Sequence, residues 1–125
     1  MEVRAFVDQL FALGHRQGFS DMEAYVAMRN LFRVGVFKSE IDSYTLAESR
    51  GLAFRGLING RMGYSFTENL ALDSVRMLVE DAAANALIID SEDIEEIYSG
   101  VLSDTYHELD SFSPELEEVP AADKI

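Results

Sequence analysis

His15 and His107 are the residues best suited by type to hold a catalytic metal, and they stand 92 positions apart in a chain of 125 residues. A hydrolytic zinc site normally takes three protein ligands, with a close histidine pair on one helix. His107-Glu108 supplies the first two letters of an HExxH-like motif, but Asp110, Ser111 and Phe112 follow and no second histidine arrives. His107 therefore reads as a surface residue. His15 reads as a favourable charge near the carboxyl end of a helix. The chain has no cysteine, which removes thiolate ligands, a cysteine nucleophile and a disulfide framework, and agrees with a reducing interior.

The glycines invite a phosphate-binding reading, but Gly51, Gly56, Gly60 and Gly63 lack both the Lys-Ser/Thr of a P-loop and the GxGxxG spacing of a dinucleotide turn. They fall at turns and inside strands, so Gly56 and Gly63 read as bulges or points of close backbone packing. Glu40 with Asp42, and Glu95 with Glu96, are paired carboxylates with no neighbour in sequence that would set one apart as an acid. Arg50 and Arg55 have the chemistry to hold a peptide carboxylate, although surface ion pairs are the commoner use. No nucleophile and base converge, and an independent small enzyme is the least favoured reading.

The elements that position these residues are legible from periodicity. Val3, Phe6, Val7, Leu10, Phe11 and Leu13 recur at helical spacing, and Gly14 and Gly18 are expected to end that helix. Five strands are expected next: Met22–Arg29 and Leu31–Phe37 as hairpin partners, Ile41–Glu48, Gly51–Ile58 and Arg61–Thr67. Asn59-Gly60 suits a two-residue type I′ turn between the last two. Alternation in the last strand separates Met62, Tyr64 and Phe66 from Arg61, Ser65 and Thr67. Neither face of Ile41–Glu48 is strongly apolar, so it reads as a half-exposed edge on which Ile41, Ser43, Tyr44 and Thr45 offer a place for a peptide or partner strand. A second amphipathic helix, Leu72–Leu87, carries Leu72, Val75, Leu78, Val79, Ala82, Ala83 and Ala86 as its apolar stripe. The fold class is α+β, a mainly antiparallel sheet of about five strands packed by two helices in the order α-β-β-β-β-β-α.

Charge divides the chain. Residues 1–89 hold 11 acidic and 9 basic side chains, net −2, whereas residues 90–125 hold 12 acidic and 1 basic, net −11. The first part is one globular domain and the second an acidic linker with scattered apolar anchors at Ile94, Ile97, Tyr98, Val101, Leu102, Leu109 and Phe112. An acidic extension repels phosphate, so direct nucleic-acid binding is not expected. No run reaches the ~18 apolar residues that would span a bilayer, and the first residues lack the pattern of a signal peptide. A cytoplasmic location, away from membranes, is the expectation.

Four pieces in order resemble the amino-terminal domain of the TldD/PmbA family: Phe19-Ser20-Asp21-Met22-Glu23-Ala24-Tyr25-Val26; Glu40-Ile41-Asp42-Ser43-Tyr44 with Glu48-Ser49-Arg50-Gly51-Leu52; Asn59-Gly60-Arg61-Met62-Gly63-Tyr64-Ser65; and Thr67-Glu68-Asn69-Leu70. Members of that family have been called modulators of DNA gyrase and are related to metalloproteases. The resemblance covers residues 1–89 well and the tail loosely. It implies a longer protein whose later domain carries a zinc-binding HExxxH-type motif in TldD-type members and lacks it in PmbA-type (TldE-type) partners. Tyr98-Ser99-Gly100-Val101 and Phe112-Ser113-Pro114-Glu115 look more like the PmbA-type connection.

No catalytic, cofactor-binding or metal residue carries over onto this sequence. Zinc, where the resemblance implies it, belongs to the missing domain or a partner subunit. The expected role is a non-catalytic domain that shapes the substrate cavity and subunit contacts of a peptide-cleaving complex. Its expected partners are a related family subunit, as a homo- or hetero-dimer, and an extended or unfolded peptide. The alternative is a regulatory protein-binding module acting on DNA gyrase without proteolysis.

Overall fold

The computed structural model describes residues 2–90, 92–100 and 107–125. The expected anchors Val101 and Leu102 lie outside the described residues. The elements run α1 (Val3–Gln17), β1 (Phe19–Phe37), β2 (Glu40–Ile58), β3 (Arg61–Thr67), α2 (Leu72–Ile88), α3 (Glu115–Glu118) and α4 (Ala121–Lys124). The strands form an antiparallel sheet in the order β1-β2-β3. The α+β class stands, but three strands replace the expected five.

The difference has a local cause. Met22–Arg29 and Leu31–Phe37 are not hairpin partners but consecutive parts of β1, and Ile41–Glu48 and Gly51–Ile58 are likewise consecutive parts of β2. The reversal lies between them, at Lys38-Ser39, where both residues take positive φ, 51° and 63°. That is the backbone of a type I′ turn made without glycine or asparagine, so the usual dipeptide signal is missing. At the second reversal the signal is present: Asn59 and Gly60 take φ of 50° and 76°. Leu52↔Thr67 through Ile58↔Arg61 then pair in register without a bulge.

The chain forms two compact units, Met1–Leu31 with Leu46–Tyr98, and Phe32–Thr45 with Ser99–Ile125. The first contains the main core. Phe6 and Leu10 of α1, Phe19 of β1, Leu52 and Phe54 of β2, Leu70, and Val75, Leu78, Val79 and Ala82 of α2 are buried together. Both helices therefore cover one face of the sheet, and each large side chain buried there contributes about 1.5–3 kcal/mol. The Phe19 and Phe54 rings meet edge to face at 5.5 Å.

Helix α1 does not end at Gly14. That residue is buried inside the helix, where a Cβ would collide with the Met22 sulfur, and the helix ends at Gly18, whose φ of 102° places its N–H on the carbonyls of Gly14 and His15. In α2 the buried stripe is Ser74, Val75, Leu78, Val79, Ala82 and Ala86. Leu72, expected in the stripe, is exposed at the first turn, and Leu70 is buried just before it.

In the second unit, the Phe32 and Tyr44 rings pack edge to face at 5.5 Å and Lys124 Nζ lies 5.3 Å from the Phe32 ring centre. The residues expected to anchor the extension differ in burial. Ile97 is buried, whereas Ile94, Tyr98, Leu109 and Phe112 are exposed.

Candidate functional site

Two surfaces of the sheet stand out among the described residues. The first is the edge of β2 that precedes its pairing with β3. The ladder between these strands begins at Leu52↔Thr67, so the β3 side of residues 40–51 has no β3 partner. Every residue from 40 to 50 is exposed. Ile41, Ser43 and Thr45 lie on one face of this segment and Tyr44 on the other, as the two-residue period of a strand requires. Ser43 lies against Gly35, where a Cβ would meet its hydroxyl, while Tyr44 is held by Phe32. The edge offers backbone N–H and C=O groups, not a reactive side chain.

The second surface is the face of the sheet away from the helices. Glu23, Tyr25, Ala53, Arg55, Tyr64 and Phe66 line an open depression of about 550 Å³. Arg55 donates from Nε and Nη2 to the two Glu23 carboxylate oxygens at 2.8 and 3.1 Å, a bidentate pair. The hydrogen bond to Glu23 is the main cause that holds the guanidinium pKa above its ordinary value, with a further bond to Tyr64 acting in the same direction. The arginine stays charged at any working pH and its fork is already filled by Glu23. Tyr25, Tyr64 and Phe66 stand exposed around the pair.

Helix α2 decides which set of β3 side chains lines this depression. Ser65 Oγ donates to the Leu78 carbonyl at 2.7 Å and Asn85 Nδ2 donates to the Tyr64 carbonyl at 2.8 Å. Gly63, Ser65 and Thr67 face the helix, opposite Gly56, Phe54 and Leu52, so Tyr64 and Phe66 are turned outward.

A family model described as PmbA/TldA metallopeptidase domain 1 matches residues 22–86. The chain belongs to this family. A Thermotoga maritima protein described as a candidate modulator of a DNA gyrase shares its fold over 98% of this chain and 27% of its own, with a TM-score of 0.78 and 22% identity. TldE from Thermococcus kodakarensis does so over 92% of this chain and 25% of its own, with a TM-score of 0.72 and 22% identity. The chain thus spans about a quarter of the length of either solved structure. No curated protein matches it at a significant level.

Metallopeptidase chemistry raises the question of a metal in this PmbA/TldA domain. Both histidines are exposed, and among the described residues no group of three His, Asp or Glu side chains is placed to hold an ion. Zinc does not fit the described residues. Of the other residues singled out by type, Glu40, Asp42, Glu95, Glu96 and Arg50 are exposed, whereas Arg55 forms the ion pair. The outward aromatic residues around that pair were not singled out from sequence. Their signal is the placement of Glu23 and Tyr25 opposite Ala24 and Val26, joined to the register Arg55↔Tyr64.

Proposed function

We propose that this chain is a non-catalytic amino-terminal domain of a TldD/PmbA-type protein, PmbA/TldE-like in kind, forming part of the substrate cavity and subunit contacts of a peptide-cleaving metalloprotease complex. The observation that carries this reading is the β2 segment at residues 40–51, exposed at residues 40–50 and without a β3 partner, in a family described as a metallopeptidase domain. An extended peptide or a partner strand can hydrogen-bond along such an edge whatever its side chains, which suits an unfolded substrate. Ile41, Ser43, Tyr44 and Thr45 are its contact residues. The chain supplies shape and backbone pairing, and zinc and the hydrolytic groups belong to a further domain or a partner subunit. Among the described residues no helix is long and apolar enough to cross a membrane, and a cytoplasmic site of action is part of the proposal.

The test is to produce this chain with whatever polypeptide follows it in its reading frame, together with a zinc-bearing family subunit. Stable association and cleavage of unfolded peptides are expected. Failure of both to appear overturns the reading.

A regulatory protein-binding module is the second reading, favoured by the gyrase description of the Thermotoga maritima relative and by the net charge of −11 over residues 90–125. Salt-sensitive binding to a basic protein surface, lost on deletion of residues 90–125, is its signature.

A further inference from the structure

Three large rings stand exposed around one small residue on the sheet face that carries the Glu23–Arg55 pair. Tyr25 is 68% exposed, Phe66 58% and Tyr64 49%, and Ala53 lies exposed among them. All of these residues belong to one compact unit, Met1–Leu31 with Leu46–Tyr98. A single exposed apolar residue is ordinary, but rings gathered around one depression mark a binding surface. We infer that this depression is a slot for one uncharged aromatic side chain of an extended peptide, seated over the Ala53 methyl group. The inference deepens the substrate cavity proposed above and rests on that reading.

The backbone of β2 sets the length of the slot. Gly51, Ala53 and Arg55 alternate onto the same face of the strand. The Phe66 ring leans over Gly51, where an added Cβ would meet its Cζ and Cε2 atoms at 2.8 and 2.9 Å. The other end is closed by Arg55, which stands opposite Tyr64 in the β2–β3 ladder and is held by Glu23 of β1. Between Gly51 and Arg55 the strand advances about 13 Å, room for one planar group between the two ends. Tyr25, on the neighbouring strand β1, supplies the side wall. Ala53 is the only side chain of β2 between the ends on this face, and its single methyl leaves the floor low.

Charge selects the occupant. Both oxygens of the Glu23 carboxylate accept from Arg55, so the slot carries a compensated ion pair. A cation drawn to the rings meets the guanidinium, and an anion drawn to the guanidinium meets the carboxylate. An uncharged ring meets neither opposition. It can stack on the guanidinium plane and pack edge to face with the tyrosines. An aliphatic side chain would gain the burial without the ring contacts, which makes it the weaker ligand.

Peptide titration of this chain tests the slot without any cleavage step. The probes are blocked five-residue peptides of glycine and serine with one phenylalanine, leucine, lysine or glutamate at the centre, followed by amide NMR. The phenylalanine peptide is expected to bind about fivefold tighter than the others and to move the signals of Ala53, Arg55, Tyr64 and Phe66. Ala53→Leu, which fills the floor, and Tyr25→Ala, which removes the side wall, are each expected to weaken that binding about fivefold, whereas Ala53→Ser, which keeps the floor low, binds like the wild type. Unchanged signals from buried Phe54 and Leu78 show that a variant has kept its fold; if Ala53→Leu loses them, Tyr25→Ala decides. Leucine or lysine peptides that bind as tightly as phenylalanine, no shift at these residues at millimolar peptide, or full affinity in the folded variants overturn the inference. Cleavage by the complex with a zinc-bearing subunit, without binding at the slot, overturns this inference alone. Slot binding with neither association nor cleavage overturns the complex and leaves a peptide-binding slot.

Discussion

Gly56 of β2 and Gly63 of β3 stand directly opposite each other in the hairpin ladder and both are buried beneath side chains or backbone of the layer above. An added Cβ on Gly56 would meet the Phe19 ring, and one on Gly63 would meet the Ala82 carbonyl of α2. The pair forms a trough without side chains. It lets α2 descend onto β3 through Ala82 and Ala86, and gives Phe19 its place beside Phe54.

Gly63→Ala is expected to destabilise the domain by about 2 kcal/mol or more, because the colliding atom belongs to helix backbone and cannot rotate away. Gly56→Ala is expected to cost less, since an aromatic ring can shift. Chemical denaturation of both variants checks the order. Equal losses at the two positions would contradict the close approach of α2.

The β1–β2 turn offers a gain in stability. Lys38 and Ser39 both occupy left-handed backbone, which costs a residue with a side chain on the order of 1 kcal/mol relative to glycine. Replacing Lys38-Ser39 by Asn-Gly keeps the type I′ turn and removes much of that cost, with an expected gain of about 1 kcal/mol. Amide exchange along residues 32–45 should slow accordingly. Faster exchange would mean that the turn is not the one described.

The Glu23–Arg55 pair should contribute little to stability despite its bidentate geometry. Its side chains are 43% and 34% exposed, so solvent screens the attraction. A double-mutant cycle with Glu23→Gln and Arg55→Met is expected to give a coupling of about 0.5–1 kcal/mol that shrinks with added salt. A raised arginine pKa leaves the guanidinium charged until pH climbs past its folded value, so the arginine introduces no loss across neutral pH. A coupling of several kcal/mol would require that a further element cover this face.

How far sequence could reach is clearest at the two turns. Asn59-Gly60 announces its hairpin because both residues tolerate positive φ, whereas Lys38-Ser39 adopts the same geometry with residues that give no such sign. β1 and β2 each read as two strands because the alternation breaks at Asn30 and at Ser49-Arg50, whereas both strands run on through those residues. The exposed, weakly apolar character of residues 41–48 was visible in their alternation, but the extent of the open edge depended on where β3 begins to pair. Glu23 and Arg55 are 32 residues apart, and only the pairing of strands brings them together. Alternation separates Tyr64 and Phe66 from Ser65 without saying which way either set points, and here the small residues Gly63 and Ser65 face the helix.

A pH-sensitive contact lies in the acidic extension, where Ser113 Oγ donates to the Glu115 carboxylate at 2.7 Å. That hydrogen bond is the main cause that lowers the Glu115 pKa, and the residue's own backbone N–H acts in the same direction. For a lowered carboxylate the sign is fixed: the contact's contribution is present above the unfolded pKa and fades as pH falls through the lower, folded one. Ser113→Ala is expected to move the Glu115 midpoint up towards the ordinary glutamate value, leaving a smaller depression from the backbone bond. Carboxyl chemical shifts followed by NMR titration check this directly. An unchanged midpoint in the variant would show that the hydroxyl does not hold the carboxylate in solution, and the turn that begins α3 would then rest on its backbone bonds, Leu116 N–H to the Ser113 carbonyl and Glu117 N–H to the Pro114 carbonyl.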